Sequence, residues 1–124
     1  MKQKVQHRLD IVQTAILIFT FITALAHLFL GFQMDEELHT WFLLNGLGYL
    51  TLLTAFFRPQ FAHIHSIIRW TLLGYTLLTI ILWFFLGSPR EGQIDPFDIS
   101  VKAVEILLVI CLLADSRRDA KRVA

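Results

Sequence analysis

The stretch IVQTAILIFTFITALAHLFLGF, residues 11–32, contains no aspartate, glutamate, lysine or arginine. A helix needs about 20 mostly apolar residues to cross a bilayer, because the hydrocarbon is about 30 Å thick and each residue rises about 1.5 Å. Residues 11–32 are therefore predicted to form a transmembrane helix. Three similar segments follow, at about residues 40–57, 64–87 and 96–114. We expect an all-α, membrane-embedded four-helix bundle that forms one domain over residues 1–124.

The composition favours the same class. Hydrophobic residues make up 56% of the chain and charged residues 17%, whereas charged residues are about a quarter of a typical soluble domain. The net charge is +1, and no basic stripe interleaved with aromatic residues lies outside the apolar segments, so no nucleic-acid partner is expected. The one cysteine, Cys111, cannot form an intrachain disulfide, and no Cys/His spacing predicts a metal or another cofactor.

The spacers between the apolar segments are short, which predicts an up-down-up-down bundle of antiparallel neighbours. Lysine and arginine concentrate in the two tails and around the middle loop: Lys2, Lys4, Arg8, Arg58, Arg69, Arg117, Arg118, Lys121 and Arg122. The first and third loops hold one arginine, Arg90, among acidic residues: Asp35, Glu36, Glu37, Glu91, Asp95 and Asp98. Because cytoplasmic loops carry an excess of lysine and arginine, both termini are predicted to be cytoplasmic.

Residues 1–26 also resemble a signal peptide, with a basic start and Ala24-Leu25-Ala26 as a cleavage-like site. The apolar run continues past this site through Leu30, and Asp10 and Gln13 lie where a signal core is apolar. We therefore expect the segment to be retained as the first span.

Polar and ionisable side chains recur in the outer half of the predicted membrane. Counted at about 1.5 Å per residue, His27 lies about 7 Å below the outer surface. Asn45 and Lys102 lie at a similar depth, and Glu105 lies one turn deeper, near the midplane. The full predicted cluster is His27, Asn45, Tyr75, Thr79, Asp98, Lys102 and Glu105.

Helical spacing predicts which face of each helix points inward, since a charge that faces lipid costs several kcal/mol. The predicted faces are Thr20, Thr23 and His27 on the first helix; Asn45, Gly48, Leu52 and Ala55 on the second; Thr71, Tyr75, Thr79 and Leu82 on the third; and Asp98, Lys102 and Glu105 on the fourth.

Glu105 is the hardest of these residues to explain by packing alone. Near the midplane its carboxyl must pair with Lys102, bond His27 or Tyr75, or be protonated. The Lys102–Glu105 spacing of i, i+3 is compatible with a structural tie and equally with a working titratable group. Lys102 also has a stem long enough to extend outward to the interface.

Four stretches carry a resemblance: HLFLG at 27–31, FLLNGLGYL at 42–50, IRWTLLGYTLLT at 68–79, and the Lys102-x-x-Glu105 pattern. Together they resemble a group of short, uncharacterised four-helix membrane proteins of bacteria and archaea, similar to DoxX-like proteins in length and helix count. The resemblance implies a fold and no activity. Small multidrug transporters have comparable length, but their key glutamate lies on the first helix, whereas Glu105 lies on the fourth.

Three classes of function remain. The first is a non-enzymatic accessory or partner-binding membrane protein, in contact with the lipid bilayer and assembled as a homo-oligomer or within a larger membrane complex. The second is a small oligomeric transporter or proton-coupled carrier that uses Glu105. The third is a haem or redox membrane protein that uses His27. No nucleophile–base pair or paired carboxylates are visible, so no catalytic residue is predicted.

Overall fold

The computed structural model describes residues 11–33, 36–86 and 96–123. Over these ranges the chain is helical, with no strand, which confirms the predicted all-α class. The four α-helices are α1 (Ile11–Gln33), α2 (Glu36–Phe57), α3 (His65–Leu86) and α4 (Pro96–Val123), and a 3-10 helix, Pro59–Ile64, joins α2 to α3. The predicted third loop, between the spans at 64–87 and 96–114, lies outside the described residues.

The helix ends have local causes. α2 ends at Phe57 because Arg58 precedes Pro59, and a residue before proline disfavours the helical region. Arg58 is extended, with φ −81° and ψ 127°, and Pro59 opens the 3-10 helix. α4 continues past the predicted span end at residue 114, because the basic residues that follow are good helix formers.

The helices form a ring in which α1 packs against α2 and α4, and α3 packs against α2 and α4. Cross-helix contacts pair early residues of one helix with late residues of the next. Asn45 in α2 contacts Thr79 in α3, and Arg69 in α3 contacts Asp115 in α4. Neighbouring helices therefore run antiparallel.

The bundle has a mixed interior and an apolar surface. Its core cluster consists of Ile16, Ala24, Tyr49, Phe56, Ile68, Leu72, Leu73, Leu108 and Leu112. Polar and charged side chains are buried beside this core: Thr20, Thr23, His27, Arg69, Thr76, Thr79, Lys102, Glu105 and Asp115. Large apolar side chains are exposed on all four helices, for example Phe21, Leu47, Phe84 and Ile110. A soluble bundle has the opposite arrangement.

The predicted inward face of α1 is confirmed, since Thr20, Thr23 and His27 are buried. The face predicted for α2 is wrong by one residue. Gly46, Tyr49, Leu53 and Phe56 are buried, whereas Asn45, Gly48, Leu52 and Ala55 are half-buried. The aromatic side chains of Tyr49 and Phe56 point into the bundle, and the four residues predicted to face inward lie beside this buried face.

The face predicted for α3 is wrong in part. Thr79 is buried and Tyr75 half-buried, but Thr71 and Leu82 are exposed. Thr76, which lies between Thr71 and Thr79 in the sequence, is fully buried. The predicted face centres on Tyr75, whereas the buried face of the helix contains Leu72, Thr76 and Thr79.

Within the described residues, three segments are long and apolar enough to cross a membrane: Ile11–Gln33, His39–Phe57 and Pro59–Phe85. α4 does not qualify on composition, because Lys102 and Glu105 lie in its apolar stretch and Asp98 and Asp115 lie near its ends.

Candidate functional site

Glu105 is the centre of the buried polar cluster. Its side chain on α4 has no exposed area. One carboxylate oxygen accepts a hydrogen bond from Lys102 one turn earlier, and the other accepts a hydrogen bond of 3.4 Å from the Tyr49 hydroxyl on α2. The buried charge is therefore compensated within the bundle, and both oxygens have a partner.

Lys102 turns inward rather than outward to the interface. Its side chain is buried, and its Nζ lies 5.7 Å from the ring centroid of Trp83 on α3. A cation over the face of an indole ring is attracted by the ring's quadrupole. The outward extension considered from the sequence is thus not adopted, and the ammonium connects α4 to α3 as well as to Glu105.

Tyr49 is the member of the cluster that sequence reasoning missed. Its ring packs edge-on against Tyr75, with centroids 4.8 Å apart, and lies 5.9 Å from the His27 ring. Thr76 and Thr79 flank its hydroxyl. Tyr49 rather than Tyr75 therefore reaches Glu105. The spacing of Gly46, Tyr49, Leu53 and Phe56, a seven-residue repeat of inward positions, is the signal that could have found it.

Asn45, Tyr75 and Thr79 form a hydrogen-bonded clip between α2 and α3, next to Tyr49. Asn45 Nδ2 donates to Thr79 Oγ1 at 3.0 Å, and the Thr79 hydroxyl donates to the Tyr75 carbonyl at 2.9 Å. The Tyr75 hydroxyl donates back to the Asn45 carbonyl at 2.8 Å. A Cβ at Gly48 would clash with that hydroxyl, so a glycine is needed for Tyr75 to lie there.

His27 joins the cluster through its ring faces. Its Nδ1 lies 2.7 Å from the Thr23 carbonyl oxygen, and since a carbonyl only accepts, Nδ1 carries the hydrogen. The ring stacks on Phe42 with centroids 5.8 Å apart. Lys102 and Asp98 are near enough to act on it electrostatically, and Asp98, the outermost predicted member, is half-buried.

A second buried ion pair lies near the 3-10 helix, at the opposite end of the bundle. Arg69 NH1 is 3.3 Å from Asp115 Oδ2, and both side chains are buried. His65 Nε2 is 3.5 Å from the same oxygen, and Arg69 donates to Ser66 at 3.4 Å. The sequence predicts Arg69 only as a flank of the middle loop and predicts a fourth span that ends at residue 114. In the structure Asp115 is buried and continues the inward face of Glu105.

An apolar layer separates the two ion pairs. Glu105 and Asp115 are ten positions apart on α4, about 15 Å at the rise of a helix. Leu72, Leu108 and Leu112, which have no exposed area, fill the interior at this level. The two charged groups therefore lie in separate compartments of the bundle.

The part of the chain that the structure describes contains no group of three or more histidine, cysteine, aspartate or glutamate residues that could hold a metal ion. Cys111 is half-buried and packs against the apolar core. The chemistry available to the cluster is thus that of a compensated ion pair, with hydroxyl and amide groups beside it.

No curated protein and no solved structure matches the chain. A family model described as "Family of unknown function (DUF7475)" matches residues 2–114, which include most of α4. This match is compatible with the resemblance to an uncharacterised group, and it gives no support to a DoxX-like relationship. Because the match covers most of the sequence, the chain belongs to the family of unknown function DUF7475.

Proposed function

We propose that this protein is an integral membrane protein with four transmembrane helices that acts as a non-enzymatic accessory or partner-binding subunit. The observation that carries the proposal is the distribution of side chains, with large apolar groups exposed around the bundle and charged groups buried within it. An apolar perimeter of this kind is stable in lipid and prone to association in water.

The fourth crossing is supported by the outer face of α4. Its charged groups Lys102 and Glu105 are buried, so they do not face lipid. The exposed positions between residues 96 and 113 are all uncharged: Pro96, Phe97, Ile99, Ser100, Ala103, Ile106, Leu107, Ile110 and Leu113. By composition alone α4 does not qualify as a membrane span. The surface that it exposes over residues 96–113 is nevertheless as apolar as that of the other helices.

The orientation is supported by the charge bias of the sequence and by exposed tryptophans at the two ends of the bundle. Trp41 lies near the start of α2, and Trp70 lies near the start of α3, at the opposite end. Tryptophan is enriched at both membrane interfaces, and the excess of lysine and arginine assigns the end near the 3-10 helix to the cytoplasm.

The partner-binding role is supported by the closed state of the cluster. Both oxygens of Glu105 are occupied, and the Asn45–Tyr75–Thr79 clip closes on itself. Most polar groups of this network are bonded, with Asn45 Oδ1 as an exception, and a network of this kind mainly fixes helix packing. The activity of the protein is then exerted through its outer surface, where it meets lipid, other copies of itself or a larger membrane complex.

The test is purification of the full chain in mild detergent after cross-linking in the native membrane. We expect a defined oligomer or a stoichiometric partner, and the Lys102→Met/Glu105→Leu variant should retain it because the cluster is internal. A cross-linked membrane that yields only monomer would overturn the proposal.

A small proton-coupled carrier is the second candidate, favoured by one observation: the fully buried Glu105 carboxylate is linked directly to α2 and through Lys102 to α3. Proton flux into liposomes, measured for wild type, Glu105→Gln and the control Asp98→Asn, separates the two. Flux that only Glu105→Gln abolishes would replace the accessory role.

The haem alternative rests on His27. The ring stacks on Phe42 and lies tilted beside Tyr49. Among the described residues, the other histidine near this depth is His39, which donates its Nδ1 hydrogen to the Gly31 carbonyl. We expect the purified protein to show no Soret band. A stoichiometric band that His27→Ala removes would establish the haem function instead.

A further inference from the structure

A groove runs along the outside of α2 at the end of the bundle near the 3-10 helix. It is lined by Thr51, Thr54, Ala55, Arg58, Gln60 and Phe61. All of these except Ala55 are exposed, so the groove opens away from the core. In the proposed orientation its mouth lies at the cytoplasmic interface.

Arg58 is held at this mouth by the end of α2. The residue is fixed between Phe57 and Pro59 in an extended conformation. Among the residues that the structure describes, no ion pair or side-chain hydrogen bond engages its guanidinium. Because no carboxylate of the described chain pairs with Arg58, its positive charge at the membrane interface is available to an anion that is not part of the protein.

An apolar lane leads from the groove into the membrane. Leu47, Thr51, Thr54 and Arg58 follow one another at i, i+4, i+7 and i+11, so they lie on one stripe of α2. The threonine hydroxyls donate to the Leu47 and Leu50 carbonyls at 2.9 and 2.8 Å, so neither threonine leaves a hydroxyl donor unsatisfied. The stripe is about 16 Å long, close to the roughly 15 Å of one leaflet's hydrocarbon.

We infer that this groove binds one anionic phospholipid of the cytoplasmic leaflet, with its phosphate on Arg58 and an acyl chain along Thr54, Thr51 and Leu47. The inference rests on the proposed membrane insertion. A guanidinium presents paired donors that match phosphate oxygens, and Gln60 adds a neutral donor beside it.

The combination of an apolar lane with a cation at its end selects a phospholipid over other anions. A free phosphate would use Arg58 alone and gain nothing from the lane. An acidic segment of a partner protein would meet the charge at the interface but would leave the leaflet-long stripe uncovered. A phospholipid places a phosphate and an acyl chain at the spacing that the groove offers.

The experiment is native mass spectrometry of the full chain in mild detergent, with phosphatidylglycerol or phosphatidylcholine added. We expect one retained phosphatidylglycerol, and about five-fold weaker retention in Arg58→Gln, the loss expected for one interfacial arginine. Arg117→Gln is the matched control, since Arg117 is exposed on α4 outside the groove. Thr54→Phe should fill the lane and weaken retention while the charge of Arg58 remains.

Equal retention of the two lipids, or no change in Arg58→Gln, would overturn the inference. Competition by inorganic phosphate as effective as that by phosphatidylglycerol would show a simple anion site and would overturn it too. Alkaline carbonate extraction of the same membranes separates the two proposals. An extracted chain refutes both membrane insertion and the lipid site, whereas an inserted chain without selective retention refutes the lipid site alone.

Discussion

Burial of the Glu105 carboxylate costs free energy of desolvation that its partners must offset. Lys102 supplies the opposite charge and Tyr49 a hydrogen bond. A buried ion pair usually contributes little net stability compared with a well-packed apolar pair of similar volume, because desolvation cancels most of the Coulomb attraction. Loss of one partner is different, since the survivor stays buried and uncompensated.

A double-mutant cycle tests this account. Lys102→Met and Glu105→Leu should each lower the free energy of unfolding by about 3–5 kcal/mol if the survivor stays charged. The double variant should lie close to wild type, because no buried charge remains. Thermal unfolding and gel-filtration profiles in detergent measure the three variants against wild type. Comparable damage in the singles and the double would show that the two residues are not coupled.

At the residue scale, the sequence predicts the Lys102–Glu105 contact because i, i+3 residues on a helix are neighbours whatever the tertiary structure. It does not predict which tyrosine reaches Glu105. Tyr49 and Tyr75 lie on different helices, and the choice depends on how each helix is rotated about its axis. A shift of one residue turns a helix by about 100°, enough to exchange Asn45 for Gly46 at the inward position.

Among the elements, α2 makes its close contacts through glycines. Cβ atoms placed at Gly31 or Gly46 would meet side chains of the neighbouring helix at 2.9 and 2.7 Å, and one at Gly48 would meet Tyr75 closer still. A Cβ at Gly74 on α3 would meet nothing within 4 Å. The first three glycines permit close helix approach, whereas no neighbour inside the bundle requires Gly74.

The matched pair Gly48→Ala and Gly74→Ala separates these roles. Gly48→Ala should displace the Tyr75 hydroxyl from the Asn45 carbonyl and cost about 1–3 kcal/mol, the usual range for overpacking. Gly74→Ala adds helix propensity at an exposed position and should stabilise by up to about 1 kcal/mol. Thermal unfolding in the same detergent gives both values, and equal effects would contradict the different environments of the two glycines.

The C-terminal part of α4 is a feature that the sequence does not predict. The apolar run stops near residue 114, so the predicted span stops there, but the helix continues to Val123. Asp115 is held inside by Arg69 and His65 from α3. An ion pair between residues so distant in the chain has no local signature, and only the packing of α3 against α4 brings it together.

At the scale of the whole molecule, the helical class and the antiparallel order follow from the length of the apolar segments and their short connections. The number of membrane crossings depends instead on the surface of the helices. Between residues 96 and 113, the exposed positions of α4 are uncharged although the segment contains charged residues. A composition average over the helix mixes its two faces. The number of membrane crossings therefore depends on which face of α4 meets lipid. A measurement of membrane topology can determine that number directly.

Reporter fusions distinguish four crossings from three. The charge bias predicts that a reporter fused after Ala124 reads as cytoplasmic, one inserted near Glu36 as external, and a control inserted near Gln60 as cytoplasmic. If α4 lay outside the membrane, the first three helices would leave the chain on the outer side, and the Ala124 reporter would read as external. An external Ala124 reporter with the other two unchanged would thus refute the fourth crossing. Reversal of all three reporters would preserve four spans and refute the orientation.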